Sequence, residues 1–460
     1  MQKQKNKQKG ITLIVLIVTI IILIILAGVS INMIVGQNGI VTQAQKADEL
    51  TTQTRQKEAI ELAVASVQAQ GTLEIDKEKL ETALQEQLGN TEYELTENGD
   101  SFFVNISKTS NVYRIGKLGE VIQEEIVEIK TAKELKEFRD DVNNGNDYKG
   151  KYIVLTADIN LNSGEQWIPI GKYVNEASTP EDTRNRYFAG VFDGRNYSIS
   201  GININTTDKV QGLFGLNLGG TIKNLRITEC NIVGGIATGG IVGYNYNEAQ
   251  IISCSVNGNI EGVGSQITGG IAGNNVSNSI IEKCVNSATV TGNILIGGIT
   301  GYQSNGASVN SCYNEGCVSS KSNTVGGIVG RNNGEQVLIK NCYNKGTIQC
   351  EGSNLGGIIG KNDTGTVINS YNIGKIEYGN KESSGYIVGS NSLNGNISKC
   401  CYWKDEADLQ GDGSTIGSYS NLMELNNKDF SEISVIINDE NAFKQDTNNI
   451  NNGYPILNWQ

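Results

Sequence analysis

A glycine-rich phrase recurs through the second half of this 460-residue chain at intervals of 28–30 residues. It reads GGIVGYN at 239–245 and returns as GGIAGNN, GGITGYQ, GGIVGRN and GGIIGKN, which begin at Gly269, Gly297, Gly326 and Gly356. Self-similarity at periods of about 20–50 residues indicates stacked units, none of which can bury an apolar face alone. The chain therefore contains an elongated array rather than one ordinary globular core.

A second phrase follows each glycine phrase and contains a column of small residues. The column consists of Cys254, Cys284, Cys312, Cys342, Ser370 and Cys400. Because side chains alternate along a strand, positions two, four and six residues after this column share its face. The first of these positions holds Asn286, Asn314, Asn344 and Asn372, the second holds Gly or Ala, and the third holds Ile or Val. Intervening positions such as Tyr313 have no common character, so we expect one face to be inward and the other to be free.

These columns predict a right-handed parallel β-helix in which each repeat of 28–30 residues forms one coil. About seven coils would stack about 4.8 Å apart, with the cysteines inward and the asparagines in a buried ladder of amides. The Gly-Gly pairs would turn corners with unusual dihedrals and permit close approach of neighbouring coils. A solenoid of helix pairs is disfavoured, because the repeats are rich in Gly, Asn, Ser, Thr and β-branched residues.

The amino terminus predicts a membrane anchor. Residues 1–9 contain four lysines and no acid, and an apolar run follows from Ile11 to Val35. This run is long enough to span a bilayer as a helix, and the lysines predict that all later residues lie outside the cell. A secretory signal peptide is the alternative, although its apolar core is ordinarily shorter. Residues 36–125 predict a helical stalk and a small α+β head.

The segment KGITLIVLIVTIIILIILAG resembles the processing segment of type IV prepilins and pseudopilins. The resemblance implies a basic leader at 1–10, cleavage by a prepilin peptidase between Gly10 and Ile11, and methylation of the new amino group. It also implies that the head at 36–125 is pilin-like, although a plain spacer fits that composition equally. Val15 stands where pilins normally have Glu, so processing is better supported than assembly into a pilus.

The repeats resemble the GLUG-motif family of bacterial surface proteins. The matching tetrads run from GLFG to GIIG, and their glycines are Gly212, Gly215, Gly240, Gly243, Gly270, Gly273, Gly298, Gly301, Gly327, Gly330, Gly357 and Gly360. WIPIG and FAGVFDGRNY before the repeats, and NNGYPILNWQ after them, resemble segments of the same proteins. The resemblance implies that residues 126–210 are the entry region of the β-helix, here called the lead-in region, that the repeats at 211–403 form its coils, and that residues 404–460 are a C-terminal capping segment. It implies adhesion or surface display.

Composition narrows the classes of function. The formal charge of −12 argues against binding of nucleic acid. Histidine is absent, which excludes an HExxH zinc site and every catalytic Ser–His or Cys–His pair. Some relatives with these repeats also contain an immunoglobulin-cleaving peptidase with an HExxH site, and this chain cannot form that site. We therefore expect no cofactor, no metal site and no enzymatic activity, while calcium binding is left open. The nine cysteines fit either disulfides between coils or, as Ser370 favours, buried free thiols.

Together these observations predict a membrane-anchored surface protein of a Gram-positive-type cell, with most of the chain extracellular. Its partner would be an extracellular glycan or a host or cell-surface protein. One alternative is a carbohydrate-cleaving β-helix enzyme, a polysaccharide lyase or glycosidase, for which Asp193 is the best single carboxylate. Another alternative is a minor pilin or pseudopilin at the tip of a filament.

Overall fold

The computed structural model describes residues 40–70, 74–109, 111–162, 164–174, 179–180, 182–263, 267–404, 409–415 and 417–460. The predicted leader at 1–10, the apolar run at 11–35 and the processing site Gly10–Ile11 lie outside these residues. Among the helices within them, none is both long and apolar enough to cross a membrane. The chain divides into a smaller unit, up to residue 95 and from 102 to 123, and a larger unit, 96–101 and 124–460.

The smaller unit combines two helices with a sheet. The helices are Ile40–Gln68 and Lys77–Leu88, and the second begins at Asp76, whose carboxylate accepts the backbone N–H of Lys79 at 3.0 Å. The strands, adjacent in chain order, are Tyr93–Asn98, Ser101–Ile106, Asn111–Gly116 and Val121–Glu124. Buried apolar residues of both helices and the sheet form one core, which includes Ile60, Val64, Leu80, Leu84, Val104 and Tyr113. The relation of this unit to a pilin head stays a prediction.

The larger unit is a parallel β-solenoid of about nine turns. Each central turn has four short strands, and in one turn these are Ala237–Gly239, Val242–Tyr246, Gln250–Ile252 and Ser255–Gly262. They define the first, second, third and fourth sides of the solenoid. Strands of the next turn pair with them in parallel, through Ala237↔Ile267, Val242↔Ala272, Ile251↔Ile281 and Val256↔Asn286. The predicted parallel stack is therefore confirmed.

The strand bounds show how the four sides extend along the stack. The first side contains Val210–Gln211, Ala237–Gly239, Ile267–Gly269, Leu295–Gly297, Thr324–Gly326, Leu355–Gly356 and Ser384–Gly385. The second contains Phe214–Leu218, Val242–Tyr246, Ala272–Val276, Thr300–Ser304, Val329–Asn333 and Asp412–Thr415. The third contains Val127–Ile129, Tyr152–Leu155, Val191–Asp193, Thr221–Lys223, Gln250–Ile252, Ile280–Glu282, Ser308–Asn310, Leu338–Lys340 and Ser418–Glu424. Ile359–Asn372 and Val388–Tyr402 bend through the second, third and fourth sides.

The fourth side is divided into shorter strands from Val285 onward. It contains Ile159–Asn160, Ser198–Ser200, Asn203–Asn205, Arg226–Gly234, Ser255–Gly262, Val285–Asn286, Thr289–Gly292, Tyr313–Asn314, Val318–Ser320, Tyr343–Asn344, Ile348–Cys350 and Ile376–Tyr378. From Val285 onward, each of these breaks follows a buried asparagine of this side, Asn286, Asn314, Asn344 or Asn372.

The expectation of seven coils is wrong because both flanking regions join the stack. In the lead-in region, Ile153 pairs with Phe192 and Phe192 with Ile222, although longer loops separate these strands. At the other end, strands Asp412–Thr415 and Ser418–Glu424 pair with Val388–Tyr402. The helix Ala132–Asn144 begins at Thr131, ends at Gly145 and packs on the first turns through Leu135, Phe138 and Val142.

A ladder of amides connects four turns inside the fourth side. Asn286 donates to Oδ1 of Asn314 at 2.7 Å, and Asn314 donates to Asn344, and Asn344 to Asn372, at 2.8 Å each. Each Nδ2 also donates to the backbone carbonyl two residues later, as from Asn314 to Gly316 at 2.9 Å. All four side chains are fully buried. Asn suits this position because one amide supplies the two donors and the acceptor that the ladder needs.

The second glycine of each Gly-Gly pair leaves room for this ladder. A Cβ at Gly298 would overlap the Asn314 side chain and the carbonyl oxygen of Gly327, and Gly270 has the same relation to Asn286. The predicted close approach is therefore present. The predicted unusual dihedrals are not, because these glycines have no positive φ. Left-handed corners lie instead at the residue before the Cys column, at Ser253, Lys283, Ser311, Asn341, Asn369 and Lys399.

We predict that Asn314→Ala destabilises the solenoid, because it leaves one N–H of the Asn286 amide and the Asn344 side-chain oxygen buried without a partner. Each orphaned group should lower the free energy of unfolding by about 1–3 kcal/mol. The matched control is Asn257→Ala, since Asn257 is exposed on a strand of the same side. Chemical denaturation of both variants measures the difference. Equal stability of the two variants would contradict a structural role for the ladder.

The outward positions beside the Cys column are not free, which corrects the sequence-based expectation. The rings of Tyr313, Tyr343 and Tyr371 stack with centroids 4.8 and 4.9 Å apart and planes within 2° of parallel. Tyr343 and Tyr371 are fully buried. The residues that cover the rings belong to the predicted capping segment: Ile433, Ile437, Phe443, Leu457 and Trp459. This part of the segment, helix Phe430–Ile437 and paired strands Phe443–Lys444 and Ile456–Leu457, therefore packs along the fourth side.

We predict that Tyr371→Ala lowers the free energy of unfolding by about 3–5 kcal/mol, because it opens a large cavity beneath the C-terminal segment. Tyr302→Ala is the control and should cost much less, since Tyr302 is half-buried on the second side. Thermal unfolding of both variants checks this. Similar losses in the two would show that the C-terminal segment does not stabilise the stacked tyrosines.

Candidate ligand-binding surface

The cysteine column lies inside the solenoid and has a structural use. Each thiol donates to the backbone carbonyl two residues earlier at 3.1–3.3 Å, in Cys254, Cys284, Cys312, Cys342 and Cys400. The hydroxyl of Ser370 makes the same bond to Ile368 at 2.9 Å. The column therefore needs a small donor beside each left-handed corner. All nine cysteines are free thiols, and burial raises the pKa of Cys342 and Cys400 to about 12.

We predict that an alkylating reagent modifies one thiol of the native protein and all nine after denaturation without reductant. The reactive thiol is Cys317, which is exposed, whereas the other eight are buried. Intact mass spectrometry counts the modified groups, and Cys317→Ser should abolish the native reaction. Fewer than nine modified thiols in the denatured chain would reveal disulfides and overturn this assignment.

Asp193, the carboxylate considered for carbohydrate cleavage, is buried and hydrogen-bonded within the solenoid. Its side chain is 1% exposed and accepts hydrogen bonds from the Tyr152 hydroxyl at 2.8 Å, the Arg195 backbone at 2.9 Å and the Asn224 amide at 3.1 Å. The Lys223 ammonium, also 1% exposed, lies 3.9 Å away. In the described part of the chain, no three Cys, Asp or Glu side chains are grouped to hold a metal ion.

A second ladder of amides fixes the orientation of the second side. Its buried members are Asn217, Asn245, Asn275, Gln303, Asn332, Asn362 and Asn391. Asn217 donates to Asn245, and Asn245 to Asn275, at 2.9 Å. The series resumes from Gln303 to Asn332 at 2.8 Å. Sequence reasoning missed this ladder, although its signal was the Asn or Gln that ends each glycine phrase.

From Asn245 to Asn362, the residue before each member of this ladder lies on the opposite face of its strand. In consecutive turns these residues are Tyr244, Asn274, Tyr302, Arg331 and Lys361, paired in register. We call this column the outer track. Its members are about 4.8 Å apart along the stack, the spacing of neighbouring strands.

The first half of the outer track is a notch between two aromatic rings. Tyr244 and Tyr302 are half-buried, and Asn274 between them is only 2% exposed. The Tyr302 hydroxyl accepts a hydrogen bond from Asn333 at 3.2 Å. The Asn274 side chain makes no hydrogen bond within the described residues. The floor of the notch therefore offers an amide donor and acceptor to an incoming molecule.

The second half of the outer track is cationic. Arg331 and Lys361 both pair with Asp363, at 2.5 and 2.9 Å. Burial opposes ionisation of Asp363, but the hydrogen bonds from Lys361 and Arg331 outweigh it and lower the pKa of this carboxyl. Two cations thus share one carboxylate, which leaves a local positive charge on a chain whose formal charge is −12.

A cavity of about 510 Å³ lies beyond the Tyr244 end of the outer track. Tyr173 forms part of its wall and stacks on Tyr244 with ring centroids 6.2 Å apart. The Lys209 ammonium lies 5.2 Å from the centre of the Tyr173 ring. Gln166, Ile168, Lys172 and Asp208 complete a wall that is part apolar and part polar. A concave site with these groups is suited to a small molecule or one unit of a polymer.

Comparison with known proteins identifies the repeat. Residues 234–261 match the family model of the GLUG motif. The chain contains a GLUG motif. The match covers about one turn of the solenoid and confirms the repeat part of the resemblance, whereas the prepilin-like segment stays a prediction. No curated protein matches the chain.

Two solved structures are similar to this chain. One is a candidate immunoglobulin A1 protease from Bacteroides ovatus, with 21% identity over 74% of this chain and 93% of that chain, and a TM-score of 0.49. The other is named IgA1 protease, with 15% identity over 73% of this chain and 25% of that chain, and a TM-score of 0.38. Both names denote proteases, so the expectation that the chain is not an enzyme is corrected and withdrawn. Likeness at this level assigns it no activity or catalytic residue.

Proposed function

We propose that the chain is a cell-surface adhesion protein whose GLUG-motif solenoid binds an extended glycan along the outer track. The observation that carries this proposal is Asn274, whose nearly buried amide has no hydrogen-bond partner among the described residues. Because this amide has unused donor and acceptor groups between the rings of Tyr244 and Tyr302, it favours a ligand that hydrogen-bonds there while contacting the rings. A sugar ring has an apolar face for tyrosine and hydroxyl groups for the amide.

The regularity of the stack supports a polymeric ligand. Solenoids present extended surfaces on which each turn adds an equivalent position. Here the outer track and the cavity beside Tyr173 place rings, amides and cations on successive turns with fixed spacing. A polymer of repeated sugar units would meet several of these positions at once, which raises the total affinity without any single deep pocket.

We predict that Tyr302→Ala and Asn274→Ala each weaken glycan binding at least tenfold, about 1.4 kcal/mol, on a glycan and host-protein array. Asn274→Ala should not lower the thermal unfolding temperature, because it breaks no hydrogen bond among the described residues. The control is Tyr187→Ala, a half-buried tyrosine outside the outer track. Unchanged binding in both track variants would refute this surface as the binding site.

The amino terminus supports a membrane-anchored location for this solenoid. We propose that residues 11–35 anchor the chain in the membrane after prepilin peptidase removes residues 1–10, with the remainder on the outer surface. The four lysines before Gly10 and the apolar run after it support both processing and orientation. Anchoring at one end would place the solenoid, with its outer track, within reach of extracellular polymers.

We predict that the native chain begins at Ile11 with a methylated amino group. Mass spectrometry of the amino-terminal peptide from membranes measures this, and Gly10→Leu should leave the leader attached. An intact Met1 in the unchanged chain would reduce the segment to an uncleaved anchor. A start beyond Ala27 would instead indicate a signal peptide.

A further inference from the structure

We propose that the glycan bound along the outer track is acidic, and that Arg331 and Lys361 hold its carboxylate or sulfate groups. This inference rests on the proposed function and names the chemical class of the ligand. The acidic group would belong to the sugar unit next to the one stacked on Tyr302, because Arg331 lies one turn further along the stack.

The exposure of the three charged side chains favours an anion from solvent. Asp363 is 16% exposed, whereas Arg331 and Lys361 are 34% and 32% exposed. The carboxylate therefore lies beneath the two cations and leaves both accessible from outside. By contrast, Glu315 and Lys345 on the fourth side match one carboxylate with one cation at 2.8 Å.

The hydrogen bonds orient the guanidinium group. Nε and Nη2 of Arg331 both lie 2.5 Å from Oδ2 of Asp363, which fixes the plane of the group. Nη1 makes no hydrogen bond within the described residues. An oriented guanidinium and an ammonium that retains unused donors form a seat for an oxyanion, since both carboxylate and sulfate accept such charge-assisted bonds.

The negative overall charge of the chain restricts the binding of acidic polymers to the site formed by Arg331 and Lys361. A formal charge of −12 repels polyanions at long range, so an acidic polymer binds only where local cations compensate the repulsion. The excess charge of Arg331 and Lys361 is placed in register with the tyrosines that would contact the sugar rings. An acidic glycan can therefore contact the tyrosine rings with its sugars and the two cations with its acidic groups in one orientation.

The backbone of the second side argues against an extended peptide as the ligand. Peptides that bind by strand addition require an exposed sheet edge. Strand Thr300–Ser304, which contains Tyr302, is paired on both sides, with Ala272–Val276 and Val329–Asn333. Only side chains are available along the outer track. A chain of rings with acidic substituents suits such a surface better than a peptide backbone does.

The test compares three probes on the full chain in detergent: polygalacturonate oligomers, heparin oligosaccharides and neutral laminarin oligomers of similar length. We expect at least one acidic probe to bind about tenfold tighter than laminarin, with added salt weakening only the acidic probes. The polygalacturonate and heparin arms distinguish carboxylate from sulfate.

Arg331→Gln with Lys361→Gln should remove the preference for acidic probes and keep laminarin binding, whereas Tyr302→Ala should weaken the binding of all three probes. Lys321→Gln, at an exposed lysine outside the outer track, is the control.

The possible failures separate the two proposals. Laminarin binding equal to that of both acidic probes, unchanged by Arg331→Gln, would refute the acidic ligand and leave the glycan-binding function standing. Absence of binding by all glycans, or binding of proteins alone on the array, would refute the proposed function itself. A preference for acidic probes that survives Arg331→Gln with Lys361→Gln would place the anion seat elsewhere and overturn this assignment.

Discussion

Hydrogen bonding between side-chain amides of successive turns is the constraint on which the rest of the solenoid depends. The Asn286–Asn314 and Asn314–Asn344 contacts, at 2.7 and 2.8 Å, require neighbouring turns to keep the same register. Turns this close leave no space for a Cβ at Gly298, which explains the glycine pairs. A fully buried amide without its neighbour would destabilise the stack. The ladder therefore both stabilises the solenoid and fixes the register in which its turns stack.

The alignment of the outward side chains on the second side follows from the buried amides beneath them. Because side chains alternate along a strand, the buried amides at Asn275 and Gln303 place Asn274 and Tyr302 on the outside. Identical alternation in successive turns then aligns the outward residues in one column. The outer track therefore needs no loops of its own, and its outward residues can change while the core is kept.

Much of the stack could be predicted because its signals are periodic in the sequence. Spacing alone placed Cys312 and Asn314 on one face, and both are buried. The cover over Tyr371 could not be predicted in this way, since the Tyr371 hydroxyl donates to the carbonyl of Pro455, 84 residues later. No repeat relates those positions. The turns of the lead-in region were missed for a similar reason: their strands match the stack, but the loops between them differ in length.

The outer track was missed because its residues do not repeat. Its members differ from turn to turn, from Tyr244 to Asn274 to Arg331, and a search for shared character assigns such positions to an unconstrained surface. Two kinds of outward variation look alike in the sequence: Tyr313, Tyr343 and Tyr371 are covered by the chain itself, whereas Tyr302 is not. What separates them is the cover, because the Tyr343 hydroxyl bonds to Gln460 of the C-terminal segment, whereas the Tyr302 hydroxyl bonds to Asn333 on the next turn of the same side. Asn274, an outward amide in register with Tyr244 and Tyr302 and without a hydrogen-bond partner among the described residues, is therefore a second feature that distinguishes this surface from the covered tyrosines.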